Sequence, residues 1–535
     1  MEKRFLLATI LSIVILVVWT TVAPRPRLLV PQPNDLQHVY NNVVTYNNAV
    51  NPPASAPPPA PVGHAVEPKI ETIETSKLVV EFANIGGTVH SVHLKEYDKA
   101  LPVRGMGGAP EYDQAEFVLE RRGPREVAYR YDTADLVVRR LYKVSEDDYT
   151  IEAQTIIENK GNMSKLIAWE NQAIILDMSN LDEKNSEFVR DRALFEYAIS
   201  SSGNIERKSS AFKFLDRERK DVMSSVSWIA FRSRYFCAII KPNYATDGYS
   251  VNPLHSNELS IYVRAKAVDV APGARVVFSS LIFVGPEKSD LLVQYKSGFE
   301  DIKRYYRVTL FDAIAKIIDS ILHGIYKVAH NWGVAIIVVS ILIYFAMYPL
   351  TLRSMLSMRK MQELQPKIGA LREKYRDNPQ KMNIEMMELY KKHKVNPLGG
   401  CLPMLLQMPV FIGLYQVLWR SVSFKGAHFL WIKDLSEPDR LFVFPFFLPF
   451  IGNEFNLLPM LMFFVMAIQQ KLTVKNMGGM DSSQAAQQKM MAVIMPVFLG
   501  AIFYHFASGL TLYFTLFYAF STIAQWKMSK SYQVT

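Results

Sequence analysis

Ser340, Tyr344, Gln407, Gln416, Tyr513, Thr515 and Tyr518 all lie inside long apolar runs. Their hydroxyl, phenol and carboxamide groups donate and accept hydrogen bonds without ionising near neutral pH. Such a set can solvate peptide groups in an otherwise apolar place. It is poorly suited to pumping ions or protons, which usually requires an ionisable side chain within the membrane. Apart from Lys471 at the end of one run, the apolar runs between Trp332 and Trp526 hold no Asp, Glu, Lys or Arg, and their one imidazole is His505.

The runs themselves are Trp332–Leu350, Leu398–Trp419, Leu457–Leu472, Met490–Phe506 and Ala507–Trp526. Backbone in lipid must satisfy its own polar groups, so these runs predict transmembrane helices. The sixteen residues of Leu457–Leu472 rise only about 24 Å at about 1.5 Å each, against a hydrocarbon core of about 30 Å, which predicts local thinning of the bilayer. Leu441–Ile451 is also apolar, but it is short and contains Pro445 and Pro449, so it reads as a loop resting at the interface. Phe5–Ala23 follows Lys3 and Arg4 and is longer than a signal-peptide core, which predicts an uncleaved anchor. The expected count is six spans.

The chain has 535 residues and a net charge of +10, and residues 353–394 carry eleven Lys/Arg against five Asp/Glu. Met355, Met358, Met361, Leu364 and Ile368 predict one helix there, and Ile384, Met387 and Tyr390 a second, with Asp377-Asn378-Pro379 between them. The result is a basic, methionine-rich hairpin, with part of its apolar stripe expected to face lipid or varied partners. Positive loops stay in the cytoplasm. The hairpin and both termini are therefore expected inside, and the segment between the first two spans outside.

That segment begins with eleven prolines in residues 24–68, the composition of an extended tether. From about Lys69 to Gly285 the pattern is β: Leu78, Val80 and Phe82 alternate with Val79, Glu81 and Ala83, and Gly86-Gly87 marks a turn or bulge. Short strands with frequent turn signals predict a large β-sandwich. His90 and His93 are three apart and should point to opposite faces, which argues against a shared metal. Cys237 and Cys401 fall in different regions and suggest neither a bridge nor a redox site. No nucleophile–base pair and no glycine-rich phosphate loop stands out, so no enzyme activity and no cofactor is expected. Leu310–Val328 then switches to helical period, with Leu310, Phe311, Ile314, Ile317, Ile318, Ile321, Leu322 and Ile325 on one face and Asp312, Lys316, Asp319 and His323 on the other. It reads as an amphipathic helix lying in the membrane interface.

Several motifs together carry a resemblance. They are Met347-Tyr348-Pro349-Leu350-Thr351, Leu364-Gln365-Pro366-Lys367, Val395-Asn396-Pro397-Leu398-Gly399-Gly400-Cys401, Gln407-Met408-Pro409-Val410-Phe411 and Ser508-Gly509-Leu510. In this order they resemble the YidC/Oxa/Alb family of membrane protein insertases, and the anchor and outer β-domain resemble its Gram-negative bacterial members. The resemblance implies an anchor at 1–23, a linker at 24–68, a periplasmic β-supersandwich at 69–300 and an interfacial helix at 301–330. It further implies a five-helix core at 331–526, with the hairpin 353–394 and a short tail 527–535 in the cytoplasm. The seven polar residues named first would line a wet substrate groove open to cytoplasm and lipid. Arg359, Lys360, Lys367, Arg372, Lys374 and Arg376 would be the hairpin's contacts. Implied partners are nascent membrane proteins, the ribosome, the Sec translocon and the lipid bilayer, with no sequence-specific nucleic acid. The implied location is the bacterial inner membrane.

One departure matters. The family places an arginine three residues before the Met-Tyr-Pro-Leu-Thr run, where this chain has Tyr344, and its Leu-Tyr-Tyr becomes Leu512-Tyr513-Phe514. The groove is therefore expected to work through hydration rather than a fixed charge. A solute transporter would need an internal repeat or an intramembrane charge, and an anchored carbohydrate enzyme would not need five more spans. An assembly-only membrane chaperone needs the same adaptable groove and stands as the alternative.

Overall fold

The computed structural model describes residues 67–177, 195–209, 219–255, 258–306, 308–376, 378–393, 395, 402–448, 452–476 and 482–531. The expected anchor, nearly all of the proline-rich tether and Cys401 lie outside these residues.

The β part is antiparallel throughout. Its largest sheet runs, in spatial order, Asn204–Ser209, Glu196–Ser201, Val226–Arg232, Phe236–Pro242, Arg275–Pro286, Thr150–Asn159, Leu136–Val144, Glu126–Asp132 and Val118–Arg122. A five-stranded sheet built on Thr246–His255, Glu258–Ala265 and Glu170–Asp177 and a four-stranded sheet starting at Ile70–Glu74 accompany it. Alternating inward residues such as Val138, Tyr142, Ile151, Ile229, Phe231 and Ile282 form one continuous core with Leu78, Val80 and Phe82. Gly86 and Gly87, at φ 71° and 56°, turn the chain into Thr88–Leu94. Only glycine takes such a pair of angles at little cost. A register shift opposite Glu81 and Phe82 leaves His90 exposed and His93 half-buried within 3.3 Å of Asp98. Plain alternation therefore does not hold at the two histidines, because a bulge inserts an extra residue. Cys237 is buried as a free thiol.

From Ser289 the chain is mostly helical: α1 (Ser289–Val293), α2 (Thr309–Ala329), α3 (Trp332–Glu363), α4 (Gln365–Lys374), α5 (Pro379–Lys392), α6 (Leu402–Arg420), α7 (Leu457–Asn476), α8 (Ser482–Phe503) and α9 (Ser508–Ser531). Among the described residues, Trp332–Ser354 is long and apolar enough to cross a membrane alone, and Leu457–Leu472 and Val493–Phe503 are shorter apolar helices. α9 packs on α7 and α3, α8 on α7, and α2 on α6 and α3. Ala335, Ile336, Val339, Leu414, Val417, Met462, Met466 and Leu510 fill the bundle core.

Three expectations change. First, α3 runs on through Pro349 to Glu363, so the first hairpin arm is the end of α3 followed by a break at Leu364. Pro366 supplies no amide donor and favours a fresh helix start. Leu364, Ile368 and Val395 form a small core there, while Ile384 and Met387 stay more than half exposed. Second, the apolar run after Leu441 is a β-hairpin, Phe442–Leu448 paired with Gly452–Phe455, rather than a loop. Phe442 stacks on Phe455 at 4.6 Å. Third, Asp319 on α2 is turned inward rather than to solvent, as described below.

Gly333, at the start of α3, lies so close to the Phe429 ring that a Cβ at this position would overlap it. Gly333→Ala should therefore force Phe429 aside and cost about 1–3 kcal/mol, the usual range for overpacking. The check is the thermal midpoint, with Gly333→Ala/Phe429→Ala expected to relieve the clash while losing the ring's packing.

Candidate functional site

The polar residues of the bundle fall into two sets. Gln407 on α6 donates through Nε2 to the Tyr513 hydroxyl of α9 at 2.5 Å. Tyr513 is 1% exposed and Gln407 is half-buried, so this is a partly buried polar contact between two helices otherwise joined by apolar packing. Tyr344 on α3 donates to the Phe520 carbonyl of α9 at 3.2 Å, and its ring lies 5.4 Å from that of Phe520. Tyr518 is half-buried with its ring against Phe514 and Phe517. Tyr344, Gln407, Tyr513 and Tyr518 thus border the same stretch of α9.

The other three contribute differently. The Ser340 hydroxyl donates to the Ile336 carbonyl at 2.6 Å and is 2% exposed, so it is committed to its own helix. Thr515 does the same with Thr511 at 2.7 Å. Such back-bonding hides a hydroxyl in apolar surroundings. Gln416 lies nine residues beyond Gln407, about half a turn round the helix at roughly 100° per residue. It sits beside Tyr306, whose hydroxyl donates to the Ile412 carbonyl at 3.0 Å. Gln416 is therefore not brought together with Gln407, and its Oε1 is buried without a hydrogen-bond partner.

Two features were not singled out from sequence. Gln469 on α7 donates to the Ser521 hydroxyl of α9 at 2.8 Å, a second polar link to α9. An amide inside an apolar run was the available signal. The second is a cluster of arginines between the β part and the end of α6. The Arg232 guanidinium makes a two-pronged ion pair with Glu287, and its Nη1 donates to the Arg304 carbonyl at 2.7 Å. Arg420 donates to the same carbonyl at 3.2 Å, and Arg234 Nε to the Trp419 carbonyl at 2.8 Å. Arg232 and Arg234 occupy ordinary strand-and-turn sequence that gives no hint of a partner near residue 419.

At the edge of this cluster, Asp319 of α2 takes an ion pair from Lys303 at 2.8 Å and has His323 at 3.3 Å. Burial disfavours the charged carboxylate, but the His323 hydrogen bond and the Lys303 charge outweigh it and hold the pKa at about 2, below 3.8. His323 moves above 6.5: burial opposes its charge, and Asp319 more than offsets that. Asp319 thus stabilises fully above pH 3.8 and loses its contribution as pH falls toward 2; His323 contributes fully below 6.5 and loses it as pH rises through the raised value. Hydrogen exchange in Thr309–Ala329, corrected for intrinsic rate, should be slowest between these limits. Asp319→Asn should flatten that profile; an unchanged profile would contradict the linkage.

On the hairpin, Lys360, Lys367, Lys374 and Arg376 are exposed and Arg372 is half-buried; Arg359 lies on α3. Lys374 and Lys381 each stand 5.3 Å from the centre of the Tyr375 ring. The Asn378 side chain caps α5 by accepting from the Lys381 amide at 3.1 Å.

These features define a helix-bundle membrane protein in which, among the described residues, uncharged polar contacts link α3, α6 and α7 to α9 across an apolar core, together with a β-rich domain. Residues 324–534 match the family model described as 60Kd inner membrane protein, and residues 109–318 that of the YidC periplasmic domain. The membrane protein insertase YidC of Pelobacter propionicus is 33% identical, over 96% of this chain and 97% of its own. That of Geobacter metallireducens is 30% identical, over 99% of each. A solved structure of an active YidC insertase with its first transmembrane domain resolved overlays with a TM-score of 0.39 and 18% identity, over 86% of this chain and 92% of that one. The chain belongs to the YidC family of membrane protein insertases.

Proposed function

We propose that this chain inserts nascent integral membrane proteins through a groove bordered by α3, α6 and α9, without nucleotide hydrolysis. The observation that carries the reading is the Gln407–Tyr513 contact. It is an uncharged donor–acceptor pair, its phenol buried and its amide half-buried, that can open to offer both partners to a passing peptide. Unsatisfied peptide groups cost several kcal/mol each in hydrocarbon, so temporary partners lower the barrier. The substrate's own apolar segment then gains roughly 0.3–0.6 kcal/mol per Leu, Ile, Phe or Val on entering lipid. On this reading Tyr344, Gln407, Tyr513 and Tyr518 face the substrate, and Ser340 and Thr515 keep helix walls satisfied. The protein is a conduit and not an enzyme. Photocrosslinkers at Tyr344 and Tyr513 should capture a nascent single-span protein, whereas one at Gln416 should not; equal capture at all three would refute the groove's placement.

The proposed topology has six spans in the inner membrane, with both termini and the basic hairpin cytoplasmic and the β-domain periplasmic. The Sec translocon is a proposed partner through the family. The hairpin's excess of basic residues suits it to ribosomal RNA, whose binding weakens with salt. Ribosome co-sedimentation should fall sharply between low and high salt, and with residues 355–392 removed. Salt-insensitive binding that survives the deletion would exclude this contact.

A further inference from the structure

A pocket of about 180 Å³ opens between the β-domain, the end of α6 and the α8–α9 turn, bordered by Arg234, Trp419, Glu437, His505 and Leu510. One wall is a fixed cation. Arg234 is 3% exposed and wedged between the rings of Tyr235 and Trp419, at 4.5 and 5.0 Å from their centres. Another wall includes Glu437. Glu437 is paired with Arg440 at 3.5 Å, and its backbone carbonyl accepts from the Ser508 amide at 2.8 Å, which ties the loop to the start of α9. Tyr415, Phe506 and Leu510 make the rest apolar.

Size and depth narrow the ligand. The volume is below the roughly 300–1,000 Å³ of pockets that enclose a drug-sized molecule, and suits a headgroup. Tyr415 and Trp419 stack at 5.4 Å at the end of an apolar helix, the place where aromatic residues meet headgroups. Just beyond Arg440, Phe442, Val443 and Phe446 are exposed by 46%, 60% and 55% on the Phe442–Leu448 strand, a surface suited to lipid rather than water.

We propose that this pocket holds the headgroup of an ethanolamine phospholipid of the outer leaflet, with its phosphate at Arg234 and its ammonium at Glu437. The proposal rests on the topology given above. A glycerol headgroup brings the phosphate charge without a cation for Glu437. A choline headgroup brings a cation that has no N–H to donate. Only a primary ammonium makes a charge-assisted hydrogen bond to the carboxylate.

The test uses the purified full chain in detergent and reads bound lipid by native mass spectrometry, independently of insertion activity. Phosphatidylethanolamine should be retained about tenfold over phosphatidylcholine and phosphatidylglycerol, the ratio that about 1.4 kcal/mol of extra binding gives. Glu437→Gln, with unchanged circular dichroism, should reduce the preference to within about twofold, the loss of one charge-assisted bond. Ala507→Leu, which fills the pocket without altering charge, should lower retention of phosphatidylethanolamine. Glu454→Gln, on the other side of Arg440, should leave the preference intact. Equal retention of the three lipids, or a preference surviving both pocket variants, overturns the site. Soluble phosphoethanolamine binding as tightly as the lipid overturns the lipid source. A photocrosslinker at His505 that captures nascent chain instead of lipid assigns the pocket to substrate and overturns the proposal.

Discussion

Gln407→Leu combined with Tyr513→Phe is expected to slow insertion of a single-span reporter about tenfold or more, while leaving the folded protein close to its original stability. Removing both partners of a buried hydrogen bond can be nearly neutral for folding, whereas removing one strands the other at about 1–3 kcal/mol. The single variants should therefore be the less stable ones. Insertion should respond differently, because the double variant offers a passing peptide neither the amide nor the phenol. Two lost hydrogen bonds of about 1 kcal/mol each correspond to roughly a tenfold rate or more. The measurement pairs thermal unfolding with insertion into vesicles, using reporters with neutral and acidic leading segments. Wild-type insertion by the double variant would refute hydration by this pair. A defect confined to acidic reporters would point to charge steering, which the uncharged Tyr344 position is not expected to supply.

Glu287→Ala should destabilise the β-domain's junction with the bundle by about 3–5 kcal/mol, the usual consequence of stranding one member of a buried ion pair. Arg232 and Glu287 are 1% and 7% exposed, so solvent cannot replace the lost carboxylate. Glu287 also helps to neutralise Arg420, and burial already holds Arg420 below its ordinary pKa, at about 10. The loss therefore falls on two cations. Arg232→Met with Glu287→Leu should recover most of the stability, because an apolar pair of similar volume costs no charge desolvation. The readout is the urea midpoint of tryptophan fluorescence, with an unchanged slope showing that the same surface unfolds. Trp228, 2% exposed on the Val226–Arg232 strand, is a local reporter. If Glu287→Ala and the double variant unfold alike, the ion pair is not what holds this junction.

The sequence by itself determined what each segment must be. Uncharged runs such as Trp332–Leu350 can only be helices in lipid, the alternation at Leu78–Ala83 can only bury one face of a strand, and Asn378-Pro379 starts a helix. These are local consequences of period, charge and backbone restriction. The same local rules misread Leu441–Ile451, because its prolines argued against pairing that Phe442–Phe455 stacking and the strand Gly452–Phe455 in fact support. They also placed Asp319 in solvent, since a helical wheel shows which residues share a face but not that Lys303 waits beneath. Gln407 and Gln416 were both visible as polar residues, and their spacing already puts them on opposite faces of α6. Only the tertiary structure decided that Gln407 meets Tyr513, 106 residues away, and that Arg234 meets Trp419, 185 away. Period and composition constrain a segment against itself, whereas partners at such distances are chosen by how the whole chain packs, through the need of each buried polar group for a partner.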